Sequence, residues 1–334
     1  MATDTLDRLL TTLAVRIHAF AICEIKTGWR LAFDPKDAVT IHYVLAGTGT
    51  ICTAAGVGAA YGPFSIIVVP ARMYHSLGEV GAAEIEANAA EHCGAVADGL
   101  VKFTAGDGSR DTLVVCATIS ASYGGALGLF DHLRGPVVDD VSQNEAMSRL
   151  FDGMLEEIAR PEIGTRALTE ALMKQCLILL LRRHLTQLSV GSPFYVALED
   201  PRLARAIIGV LEQPSAPHTV DSLASLAGMS RSTFAARFAQ VFGQAPIEFV
   251  QNVRLRLGAQ LLQTTNLPVK VIATSVGYAN RSYFTRAFRV AHGLDPRAFR
   301  VRAARAEEDA HFAAASPATE RVVGSLKGVP SNEE

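Results

Sequence analysis

Two stretches of this chain repeat each other at a fixed offset of 50 residues, and nothing else in the sequence restricts the fold as strongly. Arg231, Ser232, Phe234, Phe238, Gly243, Pro246 and Phe249 recur as Arg281, Ser282, Phe284, Phe288, Gly293, Pro296 and Phe299. So many identities at one offset mark two copies of one supersecondary unit, a paired module and not a solenoid. The second copy shows what the unit is. Pro268 stands where the first turn of a helix tolerates a missing N–H. Val269, Ile272, Ala273 and Val276 come next at helical spacing. Gly277-Tyr278 stops that helix, and Asn280 is placed to cap another. The next helix carries Phe284 and Phe288 inward and Arg281, Ser282, Thr285 and Arg286 outward. A helix, a tight turn and a helix with a hydrogen-bonding outer face is the arrangement that lays its second helix in a DNA major groove.

In the first copy the matching outward positions are Arg231, Ser232, Thr233, Ala235 and Ala236. Two alanines there suit contact with thymine methyls or readout of DNA shape. Between the copies, 246–263 reads as one helix with Phe249, Val253, Leu257 and Leu261 on a stripe. At ~1.5 Å per residue it spans about 27 Å. That is comparable to the roughly 34 Å of one DNA turn, so both units can reach successive grooves on one duplex face.

Charge agrees with this reading only after the chain is divided. Residues 200–302 hold 13 Lys/Arg against five Asp/Glu, whereas the remainder holds 18 against 28. A basic domain on an acidic chain is the electrostatic footprint of a phosphate-binding surface.

The motifs LASLAGMSRSTFAARF, RLRLGAQLL and VIATSVGYANRSYFTRAFRVAHGLDPRAFR, over about 200–302, resemble the DNA-binding domain of the AraC family of bacterial transcription regulators. The resemblance implies a seven-helix domain with two helix-turn-helix units joined by a long helix. It implies double-stranded promoter DNA as a partner, RNA polymerase as a second one, and activation as the commoner mode of regulation.

The N-terminal part reads differently. Residues 1–22 are expected to form a short helix, with Leu6, Leu9, Leu10 and Leu13 packing on the segment C-terminal to it. From about 21 to 120, short β-rich runs alternate with Gly and Pro: Thr40–Leu45, Thr50–Cys52, Ser65–Val69 and Leu113–Thr118. Such spacing predicts an all-β sandwich or barrel. VTIHYVLAGTGTI and YGPFSIIVVPARMYH resemble the two hairpins of cupin domains, with Gly62, Pro70 and His75 fitting the second motif. The first motif departs from the family pattern: of its histidines and glutamate only His42 remains. The cupin enzyme site is therefore incomplete, which favours a sensor of the kind some AraC-family regulators carry.

Cys23, His42, His75 and Cys93 lie on separate expected strands or strand ends of this barrel. Two thiolates and two imidazoles suit tetrahedral zinc, although the spacing is not that of a zinc finger. Alternatively Cys23 and Cys93 form a redox-active thiol pair activated by a histidine; the resemblance implies such cysteines, and oxidant response, in some members. The third reading is buried thiols and satisfied histidines in a core. Cys52, Cys116 and Cys176 sit in apolar contexts and are assigned to core packing. No GxSxG or HExxH motif occurs, so hydrolase chemistry has no support.

Two amphipathic helices are expected between 141 and 185, separated by Pro161–Gly164. They either cover the barrel or pair with a second protomer, as this segment commonly does in the family. The expected fold class is α+β: a cupin-like β-barrel followed by helices, then an all-α domain with two helix-turn-helix units. The expected division is a sensor at 1–138, a dimerisation segment at 139–186, a linker at 187–200, the DNA-binding domain at 201–302 and a disordered tail at 303–334. No apolar run is long enough to cross a membrane, and Met1–Leu10 lacks signal-peptide character. The expectation is a cytoplasmic, homodimeric, signal-responsive transcription regulator and not an enzyme, with an unidentified effector. The rivals are a cupin metalloenzyme fused to a DNA-binding domain, and a constitutive DNA-binding protein whose barrel only dimerises.

Overall fold

The computed structural model describes residues 7–8, 10–79, 85–90, 93–97, 100–124, 127–131, 133–160, 162–185 and 200–304. They fall into two compact units. The first is built on 15–120 and 133–177; the second contains the helices of 200–304 together with strand ends near 10–14 and 121–131. The expected linker at 187–200 and tail at 303–334 lie almost wholly outside the described residues.

The strands, in chain order, are β1 (Leu13–Lys26), β2 (Trp29–Phe33), β3 (Val39–Ala46), β4 (Gly49–Thr53), β5 (Gly56–Tyr61), β6 (Ser65–Val69), β7 (His75–Gly78), β8 (Ile85–Asn88), β9 (Cys93–Ala97), β10 (Leu100–Ala105), β11 (Arg110–Tyr123), β12 (Leu127–Gly128) and β13 (Val137–Asp140). One sheet has the order β13-β6-β3-β11-β1-β10-β9, with β12 on β11; the other has the order β5-β4-β7-β2-β8. Their inner faces are filled at period two, the signature of a pleated strand. Cys23 and Ile25, Leu31 and Phe33, Ile67 and Val69, and Val114 and Cys116 all point into one buried cluster. The turn at Gly47-Thr48-Gly49 carries the chain from β3 of the larger sheet to β4 of the smaller one. Gly47 has φ +90°, and a Cβ there would lie 2.3 Å from the Asp111 carbonyl oxygen.

The helix expected over 1–22 is cut short among the described residues. Helical residues stop at 11 and β1 begins at Leu13. The leucine spacing is compatible with a helix, but from Phe20 onward the backbone pairs in parallel with β10. Ala21, Cys23 and Ile25 then alternate into the core, where sheet pairing overrides the local leucine pattern.

Two helices come next, α1 (Glu145–Ala159) and α2 (Thr165–Leu185). The side chain of Asn144 caps α1 by accepting from the Met147 amide at 3.2 Å. Phe151 of α1 stacks on Tyr43 of β3, centroids 3.8 Å apart and planes 7° from parallel. The Ile17 amide donates to Glu170 of α2 at 3.2 Å. Both helices therefore cover the outer face of the larger sheet.

The second unit contains α3 (Pro201–Glu212), α4 (Val220–Ala227), α5 (Arg231–Phe242), α6 (Pro246–Thr264), α7 (Val269–Ser275), α8 (Arg281–His292) and a last helical stretch, α9, over 296–304. The 50-residue repeat is thus α4-turn-α5 and α7-turn-α8, joined by α6. Their ends obey the capping chemistry of the sequence. Thr219 and Ser222 form a reciprocal capping box on α4, and Gly228 closes it in the left-handed region. Ser230 caps α5 and Asn280 caps α8. Phe284 and Phe288 are fully buried, in one cluster with Ile272, Ala273 and Val276 of the preceding helix and turn. Gly258 of α6 lets this core close: a Cβ there would lie 2.8 Å from the Phe284 ring.

The second turn depends on Gly277, which has φ +89°; an added Cβ would meet the Ser215 Cα at 2.8 Å and the Arg254 guanidinium at 3.0 Å. Arg254 is buried there, donating to the carbonyls of Pro214 and Ala216. Gly277→Ala combines left-handed strain with a backbone clash and should destabilise this unit by about 1–2 kcal/mol. A denaturation midpoint equal to wild type would refute that.

Candidate functional site

The candidate nucleic-acid surface is set by how α5 and α8 are anchored. On each helix the two phenylalanines four residues apart face the core, so the opposite stripe is free. On α5, Arg231, Ser232, Thr233 and Ala236 are exposed, and on α8 so are Arg281, Ser282 and Arg286. Thr285 is half-buried on the flank. The outward face also includes two residues outside the sequence-based set, Tyr283 (61% exposed) and Arg289. Both follow from the helical period once Phe284 and Phe288 are known to point inward. A helix N-terminus with exposed Ser and Arg side chains presents amide and guanidinium donors, the groups that bind phosphate and base edges.

The second candidate is inside the β unit, where three of the four singled-out side chains meet. Cys116 and His42 are register partners on β11 and β3, and β1, which carries Cys23, lies beside β11. The Cys23 and Cys116 sulfurs are 2.7 Å apart. Cys116 Sγ is 2.9 Å from His42 Nδ1, and His42 Nε2 is 2.8 Å from His75 Nε2. His75 Nδ1 ends the chain, 3.2 Å from the Met73 carbonyl. Phe33 stacks on the His75 ring at 4.9 Å. All four polar side chains are at most 5% exposed.

Elementary hydrogen-bond bookkeeping fixes the tautomers. A carbonyl only accepts, so His75 Nδ1 carries the proton and its Nε2 accepts. His42 Nε2–H must then donate to His75, leaving His42 Nδ1 to accept the Cys116 S–H. Cys116 in turn can accept from Cys23. This assignment requires neutral rings. Burial drives His42 well below the ordinary histidine range, with His75 and Lys36 adding to the effect. Burial likewise pushes His75 down to about 4 against the opposing hydrogen bond from its ring to Met73. Burial and the adjoining Cys23 thiol hold the Cys116 thiol well above its ordinary value. The result is a one-way chain of neutral groups from Cys23 to Met73.

Cys116 belongs to the buried core, as expected, and is in addition the direct neighbour of both Cys23 and His42. This geometry corrects two sequence expectations. Cys93, whose side chain lies outside the described residues, is not beside Cys23. Cys23 pairs with Phe103 of β10, and Phe103 pairs with Cys93 on its far side. Two strand spacings separate the cysteine backbones by about 9–10 Å, beyond the roughly 7 Å that a disulfide spans. The tetrahedral zinc reading does not fit this arrangement either. His42 uses one ring nitrogen toward Cys116 and the other toward His75, so the donors lie in a line and not around a point. Among the described residues no group of three or more donors is placed to hold a metal ion. Of the remaining cysteines, Cys176 is buried in α2 with its thiol pushed up to about 12 by burial, and Cys52 is half-buried in β4.

Comparison with known proteins covers both units. A family model described as a cupin matches residues 4–186, and one described as a helix-turn-helix domain matches residues 223–302. The HTH-type transcriptional regulator AlkR of Acinetobacter baylyi is 25% identical over 313 residues, spanning 89% of this chain and 99% of that protein. The RCS-specific HTH-type transcriptional activator RclR of Escherichia coli is 26% identical over 304 residues, spanning 90% and 98%. An uncharacterized HTH-type transcriptional regulator of Haemophilus influenzae is 35% identical over 146 residues, 44% of this chain and 49% of that one.

Proposed function

Because the chain belongs to the AraC-type helix-turn-helix transcription regulators with an N-terminal cupin domain, we propose that its β unit receives a chemical signal at the Cys23–Cys116–His42–His75 chain and passes it to promoter DNA held by α5 and α8. Family membership makes the protein a DNA-binding regulator of transcription and not an enzyme. The observation that carries the sensing reading is the buried chain itself. A core needs no line of four titratable groups, and each buried polar atom must be satisfied at the expense of packing freedom. Hydrophobic side chains at those positions would hold the same two sheets together.

The chemistry the chain supports is thiol oxidation. Two thiols in contact are converted to a disulfide by a hydroperoxide: each sulfur gives up its hydrogen, a sulfur–sulfur bond forms, and the hydroperoxide leaves as an alcohol and water. His42 Nδ1 is the base that accepts the Cys116 S–H. Burial opposes the charge separation that makes Cys116 a thiolate, so oxidation requires the core to open to the hydroperoxide. Signal transfer is then a shift between conformers with different DNA affinity. A homodimer formed along α1 and α2, contact with RNA polymerase, activation of transcription and a cytoplasmic setting complete the proposal. Exposed Ile163 and Leu168 near the α1–α2 turn support the dimer; no described helix is long and apolar enough to cross a membrane.

The test is binding to duplexes enriched from a random library by the reduced protein. Affinity is then measured with reductant, with a hydroperoxide and with a zinc chelator, for wild type, Cys23→Ser and Cys116→Ser. Oxidation should change affinity within the roughly 5–150-fold range of allosteric coupling, both substitutions should abolish the change, and peptide mapping should recover a Cys23–Cys116 crosslink. Unchanged affinity after complete oxidation would leave a constitutive DNA-binding protein with a structural barrel. A response to chelation alone would restore the metal reading.

A further inference from the structure

The two recognition helices are copies of one unit, yet their electrostatics differ. At positions related by the 50-residue offset, Ala235, Ala236 and Ala239 of α5 stand against Thr285, Arg286 and Arg289 of α8. The arginines that α5 does have are engaged within the protein. Arg231 donates to Asp221 of α4 at 2.9 Å. Arg237 donates to Asp200 at 2.6 Å, and Asp200 is itself fixed as the N-cap of α3. On α8, Arg281 and Arg286 make no ion pair with any described residue, while Arg289 feels the carboxylate of Asp295 beyond the helix end. Among the described residues no acidic side chain pairs with the first two turns of α8, whereas α5 has one at each of its arginines.

We propose that the two helix-turn-helix units bind DNA unequally: α8 supplies the charge-dependent grip and reads guanine through Arg281 and Arg286, while Asp221 and Asp200 restrain α5, which adds apolar contact over an A·T-rich stretch. This rests on the DNA-binding reading of the two faces and extends it to the composition of the site. A guanidinium free of carboxylate releases counterions on meeting phosphate, and it pairs bidentately with guanine O6 and N7. A guanidinium already held by a carboxylate gains less, because it exchanges one anion for another. Asp221 has a second effect, since an exposed carboxylate at the recognition helix repels the phosphate backbone directly. Alanine side chains donate nothing and can only touch thymine methyl groups.

The experiment uses the full chain and a random-sequence duplex, with affinity followed by fluorescence anisotropy over a range of salt. On the random-sequence duplex Arg281 and Arg286 meet phosphate, so Arg281→Ala and Arg286→Ala should each reduce the slope of log affinity against log salt by about one, while Arg231→Ala should barely change it. On selected sites, where the same two arginines meet guanine, each loss should also relax the preference for that base. Asp221→Asn should raise affinity by about three- to tenfold and steepen the slope by about one. Adding Arg231→Ala to it should remove the steepening. Glu248→Gln, which removes the same charge from an acid that pairs with no α5 arginine, should give a smaller gain. Circular dichroism confirms that each variant is folded. Sites selected from a random library should contain guanine at one end of each half-site and A·T pairs at the other. Equal slopes lost by Arg231→Ala and Arg286→Ala, or an Asp221→Asn affinity equal to wild type, would overturn the proposal. If wild type itself showed no saturable duplex binding, the DNA-binding assignment of both faces would fall instead; strong binding shared equally by the units removes only the asymmetry.

Discussion

Phe288→Ala should cost the second helix-turn-helix unit about 3–5 kcal/mol, the usual loss when a buried phenylalanine is truncated. The side chain is fully buried. Its ring contacts Phe284 at 5.4 Å, Phe299 at 5.2 Å and His292 at 4.3 Å between centroids. It therefore joins α8 to α9, and through Phe284 to Gly258 of α6, so the cavity cannot be closed by moving one side chain. Domains are stable by only about 5–15 kcal/mol, and this loss would leave α7 to α9 open for a substantial fraction of the time. Duplex binding should drop to the level of nonspecific contact. The barrel should be untouched, and the single tryptophan, Trp29, lies in its β2 strand. The expected signature is unchanged Trp29 emission with fast amide exchange confined to the second unit. Duplex affinity equal to wild type, with slow exchange across α8, would show that the Phe288 ring does not hold this unit together.

The same residues explain why the DNA-binding part is legible in the sequence and the barrel site only in part. In 200–304 the determinants are local. Ser230 and Asn280 cap the helices that begin after them, Gly243 and Gly293 end them, and the phenylalanines four apart fix the buried face. Each of these acts within one or two helical turns, so a sequence window contains it. Tyr283 and Arg289 belong to the same outward stripe and need only the full helical period to be found. In the barrel the determinants are distant. Cys116 lies 93 residues from Cys23 and 74 from His42, and what joins them is the strand order β3-β11-β1. Period-two alternation shows that Cys23 and Cys116 face inward but not which strands are neighbours. For that reason Cys93 is as plausible a partner of Cys23 by pattern, although β10 separates them. The first residues mislead for the opposite reason: a local leucine spacing points to helix, and β1 owes its form to a partner strand about 80 residues away.

Acid should weaken the barrel more than carboxylate titration alone explains, because its core requires two neutral imidazoles. The unfolded chain releases His75 to the ordinary histidine value near 6.5, whereas burial holds it near 4 in the fold. Between these values the unfolded state binds the extra proton. Stability is therefore complete above about pH 6.5, falls as the pH drops toward 4, and levels off below that. From pH 7 to pH 4.5 the loss from His75 alone is about 2–3 kcal/mol. His42, held lower still, acts in the same direction. The tautomer chain sharpens the cost. A proton on His75 Nε2 turns an acceptor into a donor facing the His42 N–H at 2.8 Å, so two donors and no acceptor remain between the rings. Urea unfolding followed by Trp29 emission, at pH 7 and at pH 4.5, isolates the barrel from the helical unit. His75→Gln keeps an acceptor for His42 but cannot take up a proton. Its midpoint should be lower than wild type at pH 7, yet it should fall distinctly less on acidification. Parallel pH profiles for wild type and His75→Gln would mean that His75 is not the group linking the barrel to protons, and with it would go the neutral chain from Cys23 to Met73 on which the sensing proposal depends.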